Sequence, residues 1–511
     1  MNKDFMSNLK ATLNNEFNVS VTENGAVGYR TTGKNLLDLN FAVASLRNAT
    51  AAEIQRKYAQ AFYDDKITAV KWLFYAGDVR GGVGERRLFK ICINWLADQE
   101  PEMAKAVMAL IPEYTRWDNV FALLGTQLEK DVFELVTRQL TTDMKNYLAN
   151  NSISLCAKWM PSINTSSKKT RRLAAKIVKR LNITEASYRK MLSALRKYLD
   201  VTEVKMSAKK WDAIDYQKVP SRANLIYNGA FLRNDEERRR EYLGALEKGE
   251  VKINSAVLFP HDIANKYLRG CRSLHVYDAA LEGMWKNLPD YVKENGSTLC
   301  VVDGSGSMEW GNIGNTNVTA LTVANALGIY FAERCSGAFK DKIITFSSRP
   351  QFIDLSNCQS LKDKLSKALS ASECSNTDIE KTFDLILTTA VKNNMSQNEL
   401  PKNILVLSDM EFDSATCQGY GYRTRNQTLF DTISNKFSQA GYKMPRLVFW
   451  NLNSRTGTIP VKENDLGVAL VSGFSPAIVK MVLSGKLDPY ECLLEQLNAA
   501  RYEAVEKALR K

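Results

Sequence analysis

The 511-residue chain has two histidines, His261 and His275, and nine cysteines with no Cys-x-x-Cys pair among them. So little imidazole leaves a zinc site or a histidine-based triad little to draw on. An odd, scattered set of cysteines is not a disulfide framework. Long apolar runs are missing as well, since nothing approaches the roughly 20 residues that span a bilayer. The N-terminus, Met1-Asn2-Lys3-Asp4-Phe5-Met6, lacks the apolar stretch of a signal peptide. These absences lead us to expect a cytoplasmic protein without a membrane segment.

Positive charge is in excess, with a net of +13, and it is unevenly spread. Residues 1–300 hold 46 Lys+Arg against 34 Asp+Glu, residues 301–511 hold 23 against 22, and residues 151–200 alone hold 12 against 2. That last segment contains Lys168, Lys169, Arg171, Arg172, Lys176, Lys179, Arg180, Arg189, Lys190, Arg196 and Lys197. Leu173, Ile177 and Leu181 fall on one helical face, which turns Arg172, Lys176, Lys179 and Arg180 toward solvent. Solvated charge runs normally mix signs, yet from Lys158 to Asp200 the only acid before the end is Glu185. The segment therefore reads as a polyanion footprint, with RNA the expected partner. Trp159, Tyr188, Tyr198, Trp211 and Tyr216 are interleaved there, and unpaired bases stack on such rings, although helical spacing assigns most of them to a core.

The glycine-rich run Tyr75-Ala76-Gly77-Asp78-Val79-Arg80-Gly81-Gly82-Val83-Gly84-Glu85-Arg86-Arg87 lies between two helical patterns. It lacks the Gly-Lys-Ser/Thr ending of a nucleotide P-loop. Two readings stay open: a helix break with a charged helix start, or a phosphate contact through Arg80, Arg86 or Arg87.

A chain this long exceeds what one core supports, so two or three domains are expected. Residues 1–35 are polar and read as a loosely held arm. Residues 36–295 repeat apolar positions at three and four with short breaks, which predicts a helical-repeat array or bundle. From 296 to 485 strands alternate with helices, which predicts a doubly wound parallel sheet that binds ligands beyond the carboxyl ends of its strands. Residues 486–511 end the chain in an amphipathic helix expected to pack back on the body.

The most informative stretch is Thr298-Leu299-Cys300-Val301-Val302-Asp303-Gly304-Ser305-Gly306-Ser307-Met308. A short β-branched run stops at Gly/Ser punctuation, as a buried strand ending in a tight loop does. Asp303, Ser305 and Ser307 alternate along that loop, so a curled loop turns three oxygens toward one point. Oxygen ligands of this kind suit a hard cation, Mg²⁺ or Mn²⁺.

This Asp-x-Ser-x-Ser pattern resembles the metal-ion-dependent adhesion site of von Willebrand factor A (vWA) domains. The resemblance implies two further ligands: Thr377, in Ser375-Asn376-Thr377-Asp378, and Asp409, at the end of the apolar run from Asn403, acting through water. The Ser-Asn-Thr departs from the Gly-Gly-Thr of many vWA domains. The glycine-rich run, Tyr114–Asp118, Lys158–Ser162 and Trp211–Pro220 look like a family of viral and cellular proteins that joins a TROVE-like helical half to a vWA half. TROVE is the RNA-binding module of the Ro autoantigen, to which the similarity is remote. The implied fold is an all-α, TROVE/HEAT-like half followed by a Rossmann-like α/β vWA domain.

Catalysis is not expected. The residues flanking Gly304-Ser305-Gly306 are Asp303 and Ser307, which breaks the Gly-x-Ser-x-Gly pattern, and no histidine is placed as a base. The sites of vWA domains use the open metal position to accept a carboxylate. The reading is a non-enzymatic RNA-binding protein with a Mg-dependent contact site. The alternative is a metal-dependent protein-protein scaffold that grips an acidic residue of a partner.

Overall fold

The computed structural model describes residues 6, 17–270, 272–292, 297–314, 316–346, 349–371, 378–413, 429–461, 467–482, 486 and 488–510. Two compact units interleave along the chain. The first takes residues 1–69, 258–278 and 288–499, and the second 70–257, 279–287 and 500–511.

The first unit begins with two short strands, β1 (Val19–Val21) and β2 (Val27–Tyr29), paired antiparallel. Residues 17–32 are thus no loose arm. Tyr29 and Ile459 exchange backbone hydrogen bonds of 2.7 and 2.8 Å, and the Thr22 hydroxyl donates to the Phe412 carbonyl at 2.6 Å. The polar side chains that suggested solvation instead satisfy the backbone of neighbouring loops. Helices Asn35–Phe41 and Ala51–Asp64 follow. They are helical as expected, but they belong to this unit, because Leu36, Leu37, Leu39 and Phe41 are buried and Asn451 Nδ2 donates to the Phe41 carbonyl at 2.8 Å.

The main sheet has six strands: β3 (Thr298–Asp303), β4 (Lys342–Phe346), β5 (Phe352–Asp354), β6 (Asn403–Ser408), β7 (Arg446–Asn451) and β8 (Val468–Ser472). Their spatial order is β5-β4-β3-β6-β7-β8. All neighbours pair in parallel except β4 and β5. Every residue of β3 is buried, as expected for a strand covered on both faces. Helix Ala320–Arg334 lies against β3 so closely that a Cβ on Gly328 would sit 2.6 Å from the Val302 side chain. Strand order reverses between β3 and β6, and the crevice at such a reversal is where open α/β sheets hold ligands.

The second unit is helical throughout its described residues. Helices Arg86–Gln99 and Pro101–Met108 pack together, as do Ser221–Asn234 and Glu236–Glu247, while Lys168–Leu181 and Glu185–Tyr198 both pack on Glu129–Leu148. Local chemistry sets their starts: Ser167 Oγ accepts from Thr170 N–H and Thr184 Oγ1 from Ser187 N–H. The glycine-rich run is a packing device here. A Cβ on Gly82 would lie 2.0 Å from the Tyr75 carbonyl oxygen, and the fully buried Asp78 pairs with Arg501 and accepts from Tyr502 at 3.2 Å. The expected C-terminal helix is divided accordingly, with Pro489–Leu497 in the first unit and Glu503–Leu509 in the second.

Candidate metal centre and basic surface

Asp303 ends β3 and Asp409 follows β6, so parallel pairing of the two strands delivers both carboxylates to the same edge of the sheet. Both are fully buried, as is Ser305. Asp303 Oδ1 accepts from the Ser305 N–H at 2.9 Å, which curls the loop, and its Oδ2 accepts from the Ser408 hydroxyl at 2.6 Å. Ser305 Oγ and Ser307 Oγ are 3.0 Å apart, and Ser307 hydrogen-bonds Asp409. Four of the five expected metal ligands are therefore gathered into one cluster. The fifth, Thr377, lies outside the described residues.

Burial, and then the nearby charge of Asp409, push the Asp303 carboxyl above its ordinary range. Asp409 is raised mainly by burial, against the pull of Arg455. Two buried carboxylates that oppose each other's ionisation, with two hydroxyls beside them, form a donor set that a divalent cation would neutralise. The residues fit Mg²⁺ or Mn²⁺.

Sequence reasoning missed the surroundings. Arg455, in the loop after β7, ion-pairs with Asp409 at 2.9 Å and with Glu23 at 2.7 Å. Glu411 is fully buried and accepts from the backbone N–H groups of Glu23, Arg455 and Thr456 at 3.0, 2.7 and 2.9 Å. The usable signal was position, since the residue run 453–457 follows a parallel strand at its carboxyl end.

In the helical unit, Lys168, Lys169, Arg171, Arg172, Lys176, Lys179, Arg180, Arg189 and Lys190 are all exposed. They are not equivalent. Lys176 pairs with Glu129 at 2.9 Å, and the Arg180 guanidinium lies 5.7 Å from the Phe133 ring centre. Lys168, Arg172 and Lys179 share the outward face, away from Ala174 and Ile177, Arg171 is exposed at its edge beside Val178, and none of the four makes an ion pair among the described residues. Arg196, by contrast, is structural, donating to the carbonyls of Ala157 and Met160 at 2.9 and 2.6 Å.

Arg80, Arg86 and Arg87 are also exposed. Arg86 and Lys169, expected from the sequence, interact with Lys90 and Arg116, which were not. Lys90 is held below its ordinary range by burial and by Arg116, Arg86 and Lys169, against the pull of Asp118. Arg86 is lowered by desolvation, then by Arg116 and Arg222. Arg116 pairs with Asp118 and lies 4.0 Å from the Trp159 ring centre.

Residues 297–508 match the domain of unknown function DUF7788, and residues 22–116 and 179–298 match the domain of unknown function DUF2828. The chain is also 28% identical over 521 residues to the uncharacterized protein L728 of Acanthamoeba polyphaga mimivirus, covering 94% of this chain and 87% of that one. The matches support an uncharacterised domain-of-unknown-function family with a viral relative. No helix among the described residues is long and apolar enough to cross a membrane.

Proposed function

We propose that the protein, whose two parts match families described only as domains of unknown function, is a non-enzymatic RNA-binding protein with a Mg²⁺-holding vWA-type site in its sheet unit. The observation that carries the RNA reading is the outward line of Lys168, Arg171, Arg172 and Lys179, exposed and without acidic partners among the described residues. Cations that do not neutralise protein carboxylates are available to phosphates, and they gain most where counterions are released. Repulsion of Lys90 by Arg116, Arg86 and Lys169, and of Arg86 by Arg116, which Asp118 opposes in both, supports the same reading, because a polyanion relieves it.

The likeness to vWA domains is supported by the strand order, the one antiparallel edge strand, and the clustering of Asp303, Ser305, Ser307 and Asp409 at the reversal point. A bound Mg²⁺ would supply an electrophilic position able to take an oxygen ligand. Ser305 and Ser307 would hold it by their hydroxyls and Asp303 by its charge. The TROVE-like reading of the helical unit, and with it the similarity in plan to Ro, rests on the motifs of the sequence and on helical hairpins.

Ultraviolet crosslinking in cells, with recovery and sequencing of attached RNA, tests the proposal. RNA should be recovered with the native chain and lost when Lys168, Arg171, Arg172 and Lys179 are all changed to Gln. Equal background in both samples would overturn it. The second reading, a metal-dependent scaffold for an acidic protein partner, is favoured by Trp310, which is 82% exposed two residues beyond the metal loop. Large aromatics left in solvent beside a site are frequent anchors for partners. In that case Asp303→Ala abolishes partner capture while the four-residue Gln variant leaves it unchanged.

A further inference from the structure

The sheet unit contains a second concavity, a cleft of ≈ 760 Å³ beside the carboxyl end of β7. Its size lies within the range of small-molecule sites. Leu39, Phe41, Leu46 and Ile459 are buried beneath it and fix its floor. Arg30, Arg56 and Lys57 bring three positive charges to the same cleft.

Arg30 and Arg56 are available to a ligand, whereas Lys57 already faces the Asp38 carboxylate. Arg30 donates its Nε to the Val19 carbonyl at 3.2 Å, and Arg56 reaches only Gln60, at 3.5 Å. Neither has a carboxylate partner among the described residues. Two acids also line the cleft, Asp38 and Glu53. Asp38 is already committed: it accepts from the Thr31 and Thr32 hydroxyls and from Thr32 N–H, the last at 2.8 Å. Glu53 is exposed and opposes an anion across solvent. Arg455 is present too, but it is held by Asp409 and Glu23. Finally, the Ser45 hydroxyl lines the cleft as a buried oxygen with no hydrogen-bond partner among the described residues. A buried hydroxyl without a partner is costly unless something else satisfies it.

We propose that this cleft binds a phosphate ester of nucleotide size, with its phosphates against Arg30 and Arg56 and its organic body in the remainder of the cleft. Guanidinium forks suit the several oxygens of a phosphate, which accepts from more than one of them at once. The volume of the cleft favours an ester over the bare ion. The cleft belongs to the first unit and the basic helix to the second.

Isothermal titration of the full chain with ADP in EDTA tests this, the chelator removing any contribution from the metal centre. Saturable binding is expected. Arg30→Glu combined with Arg56→Glu should weaken it by at least about tenfold, as loss of charged hydrogen bonds requires. Both residues are exposed, so folding is retained. Ser45→Ala should weaken binding by a smaller factor, and the four-residue Gln variant of the basic helix should bind ADP as the native chain does. No heat with ADP at about 1 mM, or undiminished binding by the Arg30/Arg56 variant, overturns the proposal and leaves the RNA reading intact. Displacement of ADP by a single-stranded RNA would overturn the small-molecule assignment, because the phosphates would then be those of a polynucleotide.

Discussion

Neutralising the outward face of helix Lys168–Leu181 should change the salt dependence of RNA binding by a calculable amount. Lys168, Arg172 and Lys179 project away from the buried Ala174 and Ile177, and Arg171 is exposed at the edge of that face. Changing them to Gln removes four charges and disturbs no contact of the fold, because Gln has nearly the helix propensity of Lys and Arg. Each phosphate contact on a single strand contributes roughly 0.7 to the slope of log K against log salt. Four lost contacts flatten the slope by about 3, and at ~0.1 M salt they weaken binding by about 10²–10³-fold, or about 4 kcal/mol. The assay is fluorescence anisotropy of a labelled single-stranded RNA titrated with the native and variant chains at several KCl concentrations. Melting temperatures of the two should coincide, as for other exposed substitutions. An unchanged slope would refute the reasoning, since weaker binding without it would point to misfolding rather than lost phosphate contacts. Lys176 and Arg180 are left alone because Glu129 and Phe133 already engage them.

Three further outcomes follow from the buried groups. Metal-free, the folded sheet unit binds protons at Asp303 and Asp409 more tightly than the unfolded chain does. This contribution to stability therefore falls as pH rises from the ordinary carboxylate range through the raised folded values. Mg²⁺ competes with those protons, so by differential scanning fluorimetry it should raise the melting temperature more at about pH 8 than at about pH 5. At 100-fold excess over its dissociation constant it adds about 2.7 kcal/mol, and Asp303→Asn should remove the effect. Arg501→Ala leaves the fully buried Asp78 carboxylate without its counter-ion, which should cost about 3–5 kcal/mol in denaturant unfolding of the helical unit; a loss below about 1 kcal/mol would count against the pair's importance. Gly82→Ala drives a methyl group toward the Tyr75 carbonyl, and destabilisation of at least about 1–3 kcal/mol is expected in the same assay.

The elements and their chemistry are legible in the order of residues. β-branched runs ending in Asp303 and Asp409 could only be buried strands with polar ends, and the Asp-x-Ser-x-Ser spacing brought three oxygens to one loop because backbone geometry over five residues is local. The acid-poor run after Lys158 likewise announced an exposed basic helix, since helical periodicity separates Ile177 from Arg172 without help from the rest of the chain. Tertiary structure alone decided which distant residues meet. That Arg455 reaches Glu23, that Tyr29 pairs with Ile459, and that helix Asn35–Phe41 packs in the sheet unit all depend on contacts between residues hundreds of positions apart, and the Arg455–Asp409 pair spans 46. Local propensity carries no record of such contacts. It also could not separate Lys176 and Arg180, which the fold employs, from Lys168, Arg171, Arg172 and Lys179, which it leaves to solvent. Nor could it show that the glycines before Arg86 make room for the Tyr75 carbonyl and the Arg501 side chain, because a glycine in sequence looks the same whether its missing side chain makes space for a phosphate or for the protein's own atoms.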